Sequence, residues 1–362
     1  MTRQSLKEFC YQLPKVELHT HLNTSFSDKT LQELVDRKAK LDDNSEYRSW
    51  KLTFTENDNC PIDESFTLFT FLHKIFNDEY SIYKLTYDII HEYAADNVKY
   101  LELRSTPKDV PETGLTWPVY VDTMLRAVRD CRAEEVDIVV RILISIDRRK
   151  GVDVARQTVS LADRYLHDSD GIVVGIDFSG DPQVGDATDY IPVFQSAHEK
   201  GLKLALHLAE IPNFEETLNV LKQCHCDRIG HGTCLNQPSP GDGRKELEEI
   251  VLQKKIPIEA CMTSNVKTKT VRDYESHHLD FWYKRNHPVV LCTDGKGVYQ
   301  TTVSNEYLQA AEAFNLSRQN LWDLSFDSIN HTFASDSVKS MLRAKWGEVK
   351  SKMDISPYGC NS

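Results

Sequence analysis

The chain has 362 residues, of which 40% are hydrophobic and 27% charged, with a formal net charge of −12. That acidic balance excludes a general binder of nucleic acid or of an anionic membrane, since either would be repelled at long range. No apolar run reaches the roughly 20 residues that a membrane helix needs. The opening MTRQSLKEFCYQLPK lacks an apolar h-region and the nine cysteines include no C-x-x-C pair, so a cytosolic protein with reduced thiols is expected.

Taken in chain order, short β-branched or alternating apolar runs predict strands. The first four are KVELHTHL from Lys15, VKYLELRST from Val98, IVVRILISI from Ile138 and IVVGIDFS from Ile172. LKLALHLAE from Leu202, DRIGHG from Asp227, PIEACMTSN from Pro257 and PVVLCTD from Pro288 bring the number to eight. Helical periodicity fills the gaps: Phe66, Phe69, His73 and Phe76 share one face, then Ile82, Leu85, Ile89 and Tyr93 another. Strands alternating with helices imply βαβ units, and eight such units close naturally into a (β/α)8 TIM barrel. A doubly wound open sheet is the competing architecture. The chain reads as one domain over 1–362, with a helical insertion or lid at about 23–97 and C-terminal helices at about 304–352.

Chemistry gathers at the strand ends. His19-x-His21 turns two imidazoles to the same side of a strand, a nitrogen pair suited to zinc or two core histidines satisfied by carbonyls. His207-x-x-Glu210 adds a third imidazole, and a carboxyl able to carry a proton if burial raises its pKa. His231 sits between glycines, which permits close approach of a ligand. Asp294 follows an apolar strand, where a carboxylate is otherwise a helix N-cap. A barrel would bring these four strand ends together around a catalytic metal. Lys108, Arg148, Arg149, Lys150, Lys267, Lys269 and Lys296 follow strands on the same face, and a cationic rim with the Ser105 and Thr106 hydroxyls suits a 5′-phosphate.

HTHL, HLAE, RIGHG, TSN (Thr263 to Asn265) and CTD, in this order and spacing, resemble the adenosine deaminase family of the amidohydrolase superfamily. LPKVELHTHLN, VKYLELRSTP, ISIDRR, DFSGDP, LKLALHLAEIPN, DRIGHGT, TSNVK and FASDS are similar to its adenosine deaminase-like branch, the N6-methyl-AMP deaminases. The resemblance implies one zinc ion bound by His19, His21, His207 and Asp294. Glu210 would donate a proton to the purine ring, and His231 would orient or deprotonate the attacking water. Gly180 would contact the purine edge, while Asn23, His73, Ser105, Thr106, Pro107, Lys108 and Asp147 would hold a purine nucleoside monophosphate. The implied reaction turns N6-methyl-AMP into IMP and methylamine, carried out by a monomer.

Two positions depart from the pattern. The family has Asp-Asp after the eighth strand where this chain reads Asp294-Gly295, and Thr24 stands where the branch often has glycine. Loss of the carboxylate at Gly295, which would bind the base, predicts reduced turnover that Gly295→Asp restores. The competing functions are deamination of free adenosine and a non-catalytic nucleotide-binding relative.

Overall fold

A computed structural model describes residues 3–41, 47, 71–236, 243–353 and 355. Its eight parallel strands are Lys15–His21 (β1), Val98–Ser105 (β2), Val139–Asp147 (β3), Val173–Ser179 (β4), Lys203–Leu208 (β5), Arg228–His231 (β6), Ile258–Ala260 (β7) and Val289–Leu291 (β8). They pair in sequence order from β1 to β8. The ring closes at its C-terminal rim, where Thr20 bridges Asp294 in parallel. There the His21 N–H donates to the Asp294 carbonyl at 2.9 Å, and the Asp294 N–H donates to the His19 carbonyl at 2.8 Å. The architecture is the expected (β/α)8 barrel.

The runs predicted as strands all contain one, but their ends differ. β7 stops at Ala260, and Met262–Lys267 is helical. The Asn265 N–H bonds back to the Cys261 carbonyl at 2.9 Å, and the Glu306 carboxylate takes the Thr263 N–H at 3.1 Å. These partners draw the backbone out of the sheet, so TSN sits on a helical turn at the barrel mouth.

Helices Asp28–Leu41 and Glu79–Ala95 belong to the insertion. The second buries Ile82, Leu85, Ile89 and Tyr93 as its periodicity requires, and starts on an Asp78–Ser81 capping box. On the predicted face, His73 lies in helix and is exposed, while Phe76 is buried just past the end of that helix at residue 75. Phe66 and Phe69 lie outside the described residues. Val303–Phe314, Arg318–Ser328 and Asp336–Lys350 are the expected C-terminal helices. No helix among the described residues is long and apolar enough to cross a membrane.

The barrel interior is unusually polar. Glu17, Glu102, Arg104, Asp177, Arg228 and Glu259 are each at most 1% exposed, where such barrels ordinarily stack branched aliphatic residues. All of these but Glu17 are ion-paired, because an unpaired buried charge would cost several kcal/mol. Arg228 pairs with Glu102 and Glu259. Arg104 bonds Asp177 and Glu259, each at 2.9 Å. Glu17 accepts from the amides of His19 and Thr293 at 2.8 and 2.9 Å. This lattice forms the floor of the site.

Candidate active site

The strand ends surround a cavity of about 670 Å³ at the C-terminal rim. Ala209, His231 and Asp294 have φ of 53°, 62° and 61°. Left-handed backbone at non-glycine residues costs about 1–3 kcal/mol each and gathers at functional sites. Here it swings each chain out of its strand just where a side chain must turn inward.

Inside, the His19 ring lies 4.6 Å from that of His207 and 4.8 Å from that of His231. His21 Nε2 is 3.3 Å from His207 Nε2 and 3.5 Å from Asp294 Oδ1, which is also 3.6 Å from His19 Nε2. Two overlapping sets, His19–His207–His231 and His19–His21–Asp294, each bring their ligand atoms within 4.8 Å of one another. His19 Nε2 is buried with no hydrogen-bond partner. Converging nitrogens, a carboxylate and an orphaned ring nitrogen fit a metal ion.

The outer contacts aim these ligands. His19 Nδ1 meets Glu259 at 2.7 Å and His207 Nδ1 meets Asp177 at 3.1 Å. Ser264 Oγ donates to Asp294 Oδ2 at 2.6 Å. A carboxylate behind an imidazole fixes its tautomer and turns the other nitrogen toward the metal. Burial lowers the pKa of His21 to about 3 and also lowers those of His207 and His231, keeping them neutral. His19 rises to about 9: burial and Arg104 oppose its charge, but the Asp294 and Glu259 carboxylates outweigh them. A cation arriving at Nε2 would displace that proton.

His231 differs from the other three. The Leu279 N–H donates to His277 Nδ1 at 3.1 Å, so His277 carries its proton on Nε2, which faces Asn265 Oδ1 at 3.1 Å. The Asn265 amide N–H then donates to His231 Nδ1 at 3.1 Å. Neutral His231 therefore holds its proton on Nε2, 3.8 Å from Glu210 Oε1. That polarity suits orienting a water better than binding a metal. Burial, followed by the Asp294 charge, raises the Glu210 carboxyl to about 8, so near neutrality it is an acid with a proton to give.

Of the residues expected to hold a nucleotide, Asn23, His73, Ser105, Thr106, Lys108, Asp147 and Gly180 line the cavity, together with Thr24. Asn23 Oδ1 is buried without a partner, an acceptor left for a ligand. The Ser105 hydroxyl is engaged with that of Tyr120 at 2.7 Å. Gly180 has φ 106°, and an added Cβ would sit 2.6 Å from Asp147 Oδ1, so only glycine fits. Pro107 is buried and off the cavity wall.

Gly295 is also buried off the wall. A Cβ there would lie 2.6 Å from Thr24 Oγ1 and 2.8 Å from Thr24 Cβ. A real Cβ essentially never sits that close to a neighbour, so a side chain at position 295 requires Thr24 to shift, and Gly295→Asp alone is a strained test of the expected rise in turnover.

The cationic rim is smaller than the sequence suggested. Lys108, Arg149 and Lys150 line the cavity. Arg148 is buried and ion-paired with Glu216 at 2.9 Å, Lys296 meets Glu92 at 2.5 Å, and Lys267 and Lys269 are off the wall. Sequence reasoning missed Arg104, Asp177 and Glu259. The signal was present: each is a charge within an apolar strand run, in step with the inward-facing positions.

The comparisons with known proteins agree with this geometry. The family model for adenosine deaminase matches residues 14–349. An N6-methyl-AMP deaminase of Danio rerio is 47% identical over 345 residues, 95% of this chain and 97% of that protein. The crystal structure of the Arabidopsis N6-mAMP deaminase MAPDA has a TM-score of 0.85 at 35% identity, covering 94% of this chain and 99% of that one. Arabidopsis ADAL complexed with IMP gives 0.84 at 34%, covering 95% and 99%. With eight strands in order and the acid, histidines and aspartate at the expected strand ends, the chain belongs to the adenosine deaminase family and is a hydrolytic deaminase.

Proposed function

We propose that this protein deaminates N6-methyl-AMP, and related 6-substituted purine nucleoside monophosphates, to IMP with release of methylamine. The observation that carries the reading is the Glu210 carboxyl, 3.8 Å from His231 Nε2, beside a cluster of metal-ligand type, with Lys108 and Lys150 in the same cavity. Its relatives' names and the IMP complex point to the same substrate class.

We take the metal to be zinc, held by His19, His21, His207 and Asp294, because three imidazoles and a carboxylate suit it. Bound there, it supplies the Lewis acidity that makes water nucleophilic near neutral pH. His231, through its Nε2 proton, and Asp294 orient that water toward C6 of the purine. Glu210 gives its proton to N1, so that electron density leaving C6 has somewhere to go. The water oxygen bonds to C6, one of its protons leaves with the amine as the C6–N bond breaks, and the other returns to Glu210, leaving IMP with its proton on N1. Asn23 and Asp147 face the sugar, and Lys108 and Lys150 take the phosphate. One chain supplies every group named, which supports action as a monomer. Seven described cysteines are unpaired and buried, which supports a reducing, cytosolic setting.

Zinc-loaded protein is incubated with N6-methyl-AMP, AMP and adenosine, and the inosine products are separated by chromatography. The reading requires a preference for N6-methyl-AMP. It also requires a loss of about 10²–10⁴-fold in Glu210→Gln, with IMP binding retained. Equal turnover of adenosine would make this a nucleoside deaminase, and no turnover of any would make it a non-catalytic relative.

A further inference from the structure

Thr24 and Gly295 are far apart in sequence and meet because β1 and β8 join. Thr24 Oγ1 occupies the space that a side chain at position 295 would fill, 2.6 Å from an ideal Cβ there. The threonine is held from behind, its carbonyl accepting the N–H groups of Gly297 and Val298, each at 3.0 Å. Its hydroxyl makes only a long bond of 3.3 Å, to the His21 carbonyl. Thr24 lines the cavity and Gly295 does not. Within this pair the polar group that faces the cavity is the Thr24 hydroxyl.

Barrel topology says which part of the ligand it meets. Glu210 follows β5, whereas Thr24 follows β1, diametrically across a ring of eight strands. A purine placed with N1 at Glu210 and C6 over the histidines turns its other edge, carrying N7, toward β1. N7 is a hydrogen-bond acceptor, and a hydroxyl donates to it at any working pH. A carboxylate at position 295 would first need protonation to do so. Resting on the nucleotide reading above, we propose that the Thr24 hydroxyl reads N7 of the purine, and that Gly295 is the vacancy which lets it do so.

Four variants are assayed with N6-methyl-AMP and its 7-deaza counterpart: Thr24→Ala, Thr24→Ser, Gly295→Asp and the double Thr24→Gly/Gly295→Asp. IMP and 7-deaza-IMP binding are measured alongside by calorimetry. Thr24→Ala should lose about 5- to 10-fold in kcat/KM and in IMP affinity, with little loss toward the 7-deaza compounds, and Thr24→Ser should keep the discrimination. Gly295→Asp should fall further than Thr24→Ala, and the double variant should recover most of that fall. Equal losses on both analogues, or a Gly295→Asp protein as active as the parent, would overturn the proposal while leaving the nucleotide reading intact. A parent protein that neither turns over N6-methyl-AMP nor binds IMP would remove that reading and this proposal with it.

Discussion

Arg104 carries the most consequential load beneath the site. Its guanidinium bonds Asp177 and Glu259, each at 2.9 Å, and the Leu18 carbonyl, with no exposure to solvent. Those carboxylates stand behind His207 and His19, so one cation sets the position of two imidazoles of the proposed metal site. Arg104→Met would leave two buried acids short of a partner, at a cost of about 3–5 kcal/mol. At roughly 2.1 cal/mol/K per residue, 362 residues give an unfolding entropy of about 0.76 kcal/mol/K, so Tm should fall by about 4–7 °C. Metal affinity should fall about 10- to 100-fold as the imidazoles lose their orientation. Arg104→Lys should fare little better, since an ammonium cannot fork between two acids. Calorimetric melting of the metal-free protein and chelator competition for zinc measure the two effects separately. A variant within 1 kcal/mol of the parent and with unchanged zinc affinity would refute the reasoning.

Burial, reinforced by Lys150, lowers the Lys108 pKa to about 8. Its charge is lost as pH rises through that value, so the KM for a nucleoside monophosphate should climb above about pH 8, and kcat should fall over the same range as Glu210 gives up its proton. Lys108→Ala should raise that KM about 10-fold or more and leave adenosine kinetics alone; a loss shared by both substrates would place the lysine elsewhere. Chelation should abolish turnover and lower Tm, because a ligand bound only by the folded state stabilises it, and added zinc should restore both. Full activity in protein shown to be metal-free would contradict the assignment of the histidine cluster.

Legibility in the sequence followed locality. β1 could be read because Glu17, His19 and His21 alternate with apolar neighbours, and a two-residue period needs no tertiary knowledge. The cationic rim was overdrawn for the opposite reason: Arg148 is neutralised by Glu216 on helix Phe214–Gln223, a partner no local window contains. Arg104 and Glu259 lie within apolar runs of two different strands, and only ring closure brings them together. TSN was read as strand because β-propensity could not register the Glu306 carboxylate that captures the Thr263 amide. The two departures at Thr24 and Gly295 looked independent in sequence and are one steric event in space.

The joint between β1 and β8 has a consequence of its own. The first and last strands are stitched by the amides of His21 and Asp294, and the side chains of those same residues reach toward the metal site. An ion seated there would act as a rivet through a hoop, loading the seam in tension from inside. Losing the ion would then also slacken the hoop, so metal affinity and the closure of the barrel would rise and fall together.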